Sequence, residues 1–219
     1  MKTAILIGAT GLVGNEIVNK LLNDSRYDRI KIFTRRTLKI SNLKLEEYII
    51  DFDHLKDWKH KITGDELYSA LGTTIKKAGS KEAQYKIDFT YQYEMARIAA
   101  ENNVSKMLLV SSLGANSKSK NFYLRMKGEL EEAILKLLFK NTFIFRPSIL
   151  AGDRNEKRFG ESVGIKLAKI FTSAIPLLKK YRPVEAENVA DSMIKSANLN
   201  SGEDKQIIES DEIFKIVNS

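Results

Sequence analysis

The stretch Ile5-Leu6-Ile7-Gly8-Ala9-Thr10-Gly11-Leu12-Val13-Gly14 decides the fold of this 219-residue chain. An apolar run ends at a glycine, and two further glycines follow at intervals of three. Apolar residues then recur at helical spacing as far as Leu22. The pattern predicts a strand, a glycine-rich turn and a helix, which is the order of elements at a dinucleotide site.

Each glycine has a physical reason in such a turn. The first permits a tight bend, the second lets backbone approach a pyrophosphate, and the third lets the helix pack closely on the strand. The start of the helix, with Gly8, Thr10, Gly11, Leu12 and Val13, offers unpaired N–H groups and a partial positive charge to phosphate. The first gap holds two residues where the common fingerprint has one, so a purely structural turn is the alternative.

Composition narrows the class of protein. The chain has no cysteine, two histidines and a formal net charge of +8. Disulfides and thiolate chemistry are excluded, a metal site is disfavoured, and the composition fits a reducing compartment, so we expect a cytoplasmic protein. No apolar run approaches the roughly 20 residues that span a membrane. The positive charge suits either a nucleic acid or a phosphorylated cofactor; lysines and arginines alternate with acids, which makes nucleic acid the weaker prediction.

Further along the chain, strands and helices alternate, which predicts a single α/β domain, residues 1–219, with a doubly wound parallel sheet of the Rossmann type. We expect loops over 76–82 and 153–160. We expect helices over 83–102, 122–139, 161–174 and 184–199, and a tail after a short strand at 205–209. Residues from about 150 onwards are expected to contribute a small lobe on the substrate side. The other predicted strands cover 4–7, 30–33, 45–50, 66–71, 106–110 and 143–145.

The predicted strand ends carry the candidate cofactor contacts, because ligands bind beyond the carboxyl ends of parallel strands. Arg35 and Arg36 follow the second strand where an acid would select NAD, so they favour the 2′-phosphate of NADP; a solvated strand end is the alternative. Asp51 and Phe52 follow the third strand, beside the expected adenine, although a plain turn acid is nearly as good an interpretation. The fourth strand closes on Gly72-Thr73-Thr74.

A candidate catalytic group follows the fifth strand. Tyr123 and Lys127 are four residues apart, so they share one helix face. An ammonium near a phenol favours the phenolate, which suits a general acid or base near neutral pH. Ser111-Ser112 lies upstream and could hold a substrate carbonyl. A surface pair is the alternative, since Tyr27 and Lys31 have the same spacing with no helix to align them.

Together the glycine turn, Ser111-Ser112, Tyr123-x-x-x-Lys127 and Arg146-Pro147 resemble an atypical short-chain dehydrogenase/reductase. The closest likeness is to the Tat-interacting-protein-like NAD(P)-binding subgroup. The segments that carry this likeness are 70–74, 78–80, 110–115, 145–147 and 153–161.

The resemblance implies a Rossmann fold that binds NADPH and reduces a small carbonyl substrate. It implies that Tyr123 donates the proton, that Lys127 also holds the nicotinamide ribose, and that Ser112 orients the carbonyl. Backbone after Pro147 would face the carboxamide. Because some members of the subgroup act as regulatory or binding proteins, a non-catalytic NADPH sensor or scaffold is the alternative function.

Overall fold

A computed structural model describes residues 1–151, 181–199 and 204–219. Its centre is a seven-stranded, wholly parallel sheet with the order β3-β2-β1-β4-β5-β6-β9. The chain reverses direction across the sheet between β1 and β4, as in a doubly wound Rossmann fold. The strands are β1 (Lys2–Ile7), β2 (Tyr27–Thr34), β3 (Leu45–Ile49), β4 (Glu66–Ser69), β5 (Lys106–Val110), β6 (Asn141–Arg146), β7 (Leu150–Ala151), β8 (Val184–Glu185) and β9 (Lys205–Glu209).

The helices cover both faces of the sheet. They are α1 (Leu12–Leu22), α2 (Ile75–Ala78), α3 (Lys81–Tyr85), α4 (Tyr91–Glu101), α5 (Phe122–Ile134), α6 (Ala186–Asn198) and α7 (Ser210–Asn218). A 3₁₀ segment, Phe52–Lys61, follows β3, and a π-helical turn, Lys86–Thr90, joins α3 to α4.

Alternation along the strands divides the core between the two faces. In β1, Ala4 and Leu6 pack with α1 and α6, whereas Ile5 and Ile7 pack with α4 and α5. All four side chains have no exposed surface. A strand buried on both faces needs this continuous apolar run, which is why the fifth predicted strand is the most apolar of the chain.

Three sequence predictions about local structure are wrong. Residues 76–82 are not a loop but belong to two short helices, each begun by a hydroxyl cap: Thr74 accepts from Lys77 N, and Ser80 from Ala83 N. Capping of this kind starts a helix without any apolar periodicity. The helix predicted over 122–139 ends at Ile134. The tail forms α7, which starts with a reciprocal capping box between Glu209 and Glu212.

The segment after residue 150, assigned from the sequence to a small lobe, contributes to the central layers wherever it is described. Helix α6 packs against α1, and β9 pairs with β6 at the sheet edge. Strands β7 and β8 pair in parallel beside the sheet. Residues 152–180, which include the predicted loop and helix and the 153–161 part of the family likeness, lie outside the described residues, so the lobe itself stays a prediction.

Candidate cofactor-binding and active site

The glycine turn is fixed by backbone geometry. Gly8 has φ +85°, and a Cβ on it would lie 2.4 Å from the carbonyl carbon of Ala70. A Cβ on Gly14 would lie 2.1 Å from the Gly8 oxygen. No larger residue fits either position, because the turn touches the end of β4 on one side and the first turn of α1 on the other.

The start of α1 is open and electrically positive. Gly11 is the N-cap, and among the described residues no side chain caps it; the first turn of α1 carries no acid. Thr10 and Gly11 are exposed. The N–H groups of Leu12 and Val13 have no partner within the helix because they precede its first hydrogen-bonded turn. This arrangement can receive a phosphate at the carboxyl edge of β1.

Two exposed arginines lie beyond the end of β2. Arg35 and Arg36 have exposed side chains, and no ion pair joins either to another residue in the part of the chain that the structure describes. The turn is held by Thr34, whose hydroxyl donates to the Arg36 carbonyl over 2.9 Å. Both guanidinium groups are therefore available to an anion at this end of the sheet.

Asp51, the acidic residue after β3, already interacts with two residues close to it in the chain. The Asp51 carboxylate accepts from the Asp53 N–H over 2.9 Å and lies 3.0 Å from the His54 ring, and these two contacts lower its pKa. Asp51 is thus the N-cap of the 3₁₀ segment. An adenine amine could donate only to the carboxylate lone pairs that these two contacts leave free. The Phe52 side chain is buried and its ring lies 5.3 Å from that of Tyr91, so only the Phe52 backbone can face a ligand.

The turn after β4 combines an open position with an anchored one. A Cβ on Gly72 would meet nothing within 4 Å, so this exposed glycine borders free space. Thr73 is anchored instead: its N–H donates to Asp88 over 2.7 Å. Thr74 is the N-cap of α2 and accepts from Lys77 N. A ligand can approach the backbone at Gly72, whereas the Thr73 N–H is already occupied.

The two serines after β5 have different surroundings. The buried Ser111 hydroxyl donates to the Glu131 carboxylate. Ser112 is half-buried, and its hydroxyl makes one long 3.4 Å contact with the Leu113 carbonyl. The Leu113 N–H donates over 2.9 Å to the carbonyl of Pro147, which brings Ser112 beside the end of β6. Of the two serines, Ser112 is the one free to meet a substrate.

Tyr123 and Lys127 both lie in the first half of α5, but their environments differ. Tyr123 is 37% exposed, one residue inside the N-terminus of the helix. Lys127 is 3% exposed, and its ammonium donates over 3.4 Å to the Val110 carbonyl at the end of β5. Lys127 thus contacts the end of β5, two residues before Ser112. Tyr123 lies one helical turn earlier on α5 and is more exposed to solvent.

Three residues of this site were missed in the sequence interpretation. Asp88 on the π-helical turn has 1% exposure and Glu131 on α5 has 3%. Gly128 packs α5 on the preceding loop so closely that a Cβ would lie 2.2 Å from Ser117 N. The sequence contained a signal for Glu131 and for Gly128. Glu131 is four residues beyond Lys127 and therefore lies on the same face of the helix. A glycine inside a helix lowers its stability, so Gly128 indicates close packing at that position.

Solved structures confirm the fold. The chain resembles a UDP-N-acetylglucosamine 4-epimerase from Bacillus cereus, with a TM-score of 0.71, 16% identity and coverage of 100% of this chain and 84% of that one. It also resembles the Bordetella bronchiseptica enzyme WbmH in complex with NAD⁺, with a TM-score of 0.72, 14% identity and coverage of 96% and 76%. At these identities the likeness shows the Rossmann-type fold.

Curated relatives correct the expected location. A protein named FMP52, mitochondrial, from Candida albicans is 34% identical, and the match covers 99% of each chain. Its namesake from Meyerozyma guilliermondii is 38% identical over 89% of this chain and 84% of the other. The expectation of a cytoplasmic protein is therefore wrong. A chain without cysteine has no thiol to be oxidised, so its composition could not distinguish one compartment from another.

No helix in the described ranges has the length and apolar character to cross a bilayer.

The family model described as NAD(P)H-binding matches residues 8–158, from the glycine turn to beyond β7. A nicotinamide cofactor accordingly fits the open start of α1 and the free space at Gly72. The chain belongs to the NAD(P)H-binding family and has the fold of an atypical short-chain dehydrogenase/reductase.

Proposed function

We propose that this protein is an NADPH-dependent oxidoreductase that reduces a small carbonyl compound. The observation that carries the proposal is the placement of Lys127. Its buried ammonium donates to the Val110 carbonyl at the end of β5, two residues before Ser112, and the lysine lies one helical turn after the exposed Tyr123. A cation in that place has no partner carboxylate within ion-pair distance among the described residues, so its charge is available to groups at the carboxyl edge of the sheet.

The preference for NADPH over NADH rests on Arg35 and Arg36. Both extend from the end of β2, where the adenine ribose of a Rossmann cofactor is bound. A guanidinium can bind a 2′-phosphate with two charge-assisted hydrogen bonds. The residues on either side of the two arginines, Thr34 and Thr37, are uncharged, so neither repels the phosphate.

When bound, NADPH would supply the hydride that reduces the carbonyl carbon. The Ser112 hydroxyl donates a hydrogen bond to the carbonyl oxygen, and Tyr123 transfers its phenolic proton to that oxygen, giving an alcohol. The positive charge of Lys127 stabilises the phenolate that is left on Tyr123, and Lys127 would also hold the nicotinamide ribose. Solvent restores the phenolic proton, since Tyr123 is accessible.

One observation favours a second candidate, a cofactor-bound sensor or scaffold without turnover. The Tyr123 hydroxyl has no hydrogen-bond partner among the described residues, and Lys127 donates to Val110 instead. In that case the nucleotide would set the shape of a surface that another molecule recognises. Nucleic acid is the weaker candidate for that molecule, because the charged surface includes many acid–base pairs.

The relatives support a mitochondrial location for the proposed activity, since they carry that word in their names. Attachment of a fluorescent protein at the carboxyl terminus, followed by imaging against a mitochondrial marker, tests this part of the proposal. A diffuse cytosolic signal would contradict it.

The function itself is tested in two steps. NADPH and NADH are first titrated against the protein by nicotinamide fluorescence, and we expect tighter binding of NADPH. The holoprotein is then assayed with a panel of aldehydes and ketones, and Tyr123→Phe is expected to lower turnover by about 100-fold or more. Binding of NADPH without turnover of any compound would favour the sensor, and binding of neither nucleotide would exclude both candidates.

A further inference from the structure

The π-helical turn Lys86–Thr90 buries a carboxylate beside the proposed site. It places Asp88 between the turn after β4 and helix α5, with 1% of the residue exposed. A π-helical turn adds a residue to a helix and redirects a side chain, and such turns occur frequently at functional sites. The turn contacts α5, and through Asp88 it also binds the turn after β4, which is part of the proposed cofactor site.

One carboxylate oxygen of Asp88 accepts a backbone hydrogen bond. Oδ1 accepts from the Thr73 N–H over 2.7 Å, and the Gln84 amide donates to the Thr73 carbonyl over 3.1 Å. On the backbone side, the Gln92 amide donates to the Asp88 carbonyl over 2.6 Å. The Gly72–Thr74 turn is therefore attached to the helical layer through the Asp88 side chain.

The other oxygen is not satisfied. Asp88 Oδ2 is buried and has no hydrogen-bond partner among the described residues. Burial raises the pKa of Asp88, while the positive charge of Lys127 and the hydrogen bond from the Thr73 N–H act in the opposite direction. A half-satisfied buried carboxylate is costly to a folded protein, and groups of this kind concentrate at functional sites.

We propose that Asp88 is a positioning residue, which fixes the Gly72–Thr74 turn for the cofactor. It acts through the Thr73 N–H and does not itself contact a substrate. The groups around it are Thr73 from the turn after β4, Gln84 from α3, Gln92 from α4 and, as a positive charge, Lys127 from α5. Lys86, on the same turn, is exposed and pairs with Asp53. The inference rests on the proposed NADPH site.

The first experiment compares Asp88→Ala, Asp88→Asn and Asp53→Ala in the 219-residue protein. Alanine removes the oxygen that accepts from the Thr73 N–H, whereas asparagine keeps one. We expect Asp88→Ala to raise the NADPH dissociation constant about tenfold and Asp88→Asn to restore most of the affinity, whereas Asp53→Ala, which removes an exposed acid on the same side of the fold, should change it less than twofold. Unchanged affinity in Asp88→Ala would overturn the inference.

Stability distinguishes positioning from a merely structural role. The pKa of Asp88 is higher in the folded protein than in the unfolded chain, so its favourable contribution is present below about pH 4 and is lost as the pH rises through the folded value. Asp88→Asn removes that loss. We expect its urea midpoint at pH 7 to equal or exceed that of the unmodified protein; a lower midpoint together with normal affinity would assign Asp88 to structure alone.

A measurement without nucleotide separates this inference from the proposed function. Amide hydrogen exchange at the Thr73 N–H is expected to be at least about tenfold faster in Asp88→Ala than in the unmodified protein, because alanine removes the oxygen that accepts from this N–H, and to be unchanged in Asp53→Ala. If neither nucleotide binds but the exchange becomes faster, the proposed function fails while the Asp88–Thr73 link stands. If NADPH binds and the exchange does not change, the link fails alone.

Discussion

Glu131 and Arg146 form a two-point ion pair that joins the middle of α5 to the end of β6. Arg146 donates through Nε over 3.1 Å and through Nη2 over 2.6 Å, and Glu131 also accepts from the Ser111 hydroxyl. The remaining Arg146 nitrogen donates to Glu209 at the end of β9 over 2.9 Å. Hydrogen bonds from Arg146 to Glu131 raise the pKa of the arginine. Helix α5 is thereby joined to the carboxyl ends of β5, β6 and β9.

Removal of this pair should weaken the whole fold. Glu131→Gln is expected to lower the free energy of unfolding by about 3 kcal/mol, because it leaves Arg146 without its main counter-charge in a mostly buried place. The change is measured by urea denaturation. Glu132→Gln, the exposed neighbour that bonds Ser117, is the control and should cost less than about 1 kcal/mol. Equal losses in the two variants would contradict the assigned role.

The two glycines Gly8 and Gly72 are expected to respond differently to alanine. Gly8→Ala should prevent stable folding, since its Cβ would overlap Ala70 at a positive φ. Gly72→Ala should leave the unfolding free energy within about 0.5 kcal/mol, because its Cβ points into free space. If that space holds the cofactor, Gly72→Ala lowers NADPH affinity without a loss of stability. Retained affinity would place the nucleotide elsewhere.

The preference for NADPH over NADH is expected to depend on where an arginine lies on the sheet and not on the net charge of the protein. Arg35→Ala should weaken NADPH binding by about 10- to 100-fold with little effect on NADH, the loss of one charge-assisted phosphate contact. Arg29→Ala is the matched control, since Arg29 is an exposed arginine near the opposite end of the same strand, six residues or about 20 Å away, and pairs with Glu46. A similar loss in both variants would indicate general electrostatic attraction.

A polar cluster at the amino ends of the strands predicts alkaline instability. Tyr27 donates to the buried carboxylate of Glu66 over 2.6 Å, and Tyr68 donates to the same oxygen over 2.9 Å. Burial and the Glu66 charge raise the pKa of both phenols. The stabilisation is complete below the unfolded pKa of about 10 and is lost as the pH rises above it, because the unfolded phenols then ionise while the folded ones do not.

The corresponding test compares urea midpoints at pH 8 and pH 10.5. Tyr27→Phe should show a smaller fall between the two pH values than the unmodified protein, since one of the two raised phenols is absent. Tyr93→Phe, on α4 and stacked on Phe89, makes no contact with Glu66 and should show the full fall. Because the cluster lies at the edge of the sheet opposite the proposed nucleotide site, Tyr27→Phe should also leave NADPH affinity unchanged.

Much of the fold could be predicted because its signals are local. The run from Ile5 to Gly14 contains a strand, a turn and a helix within ten residues, and the structure has all three in place. Helices α2 and α7 were not predicted and α3 begins two residues before the predicted start at 83, since each of the three starts at a polar cap and not at an apolar repeat. Strand ends such as Arg35 and Gly72 follow from the parallel order, which places them on one edge.

The sequence by itself determined the alternation of strands and helices, the glycines that backbone contact requires, and the candidate residues at the strand ends. Apolar periodicity and chain stereochemistry act between near neighbours, so they can be read from one chain. Only the tertiary structure decided which polar groups meet: Asp88 with Thr73, Glu131 with Ser111 and Arg146, and Glu66 with two tyrosines. Apart from Tyr68, which lies two positions from Glu66, these contacts join residues 15 to 39 positions apart. Burial makes each one strong, because water no longer competes for the same hydrogen bonds.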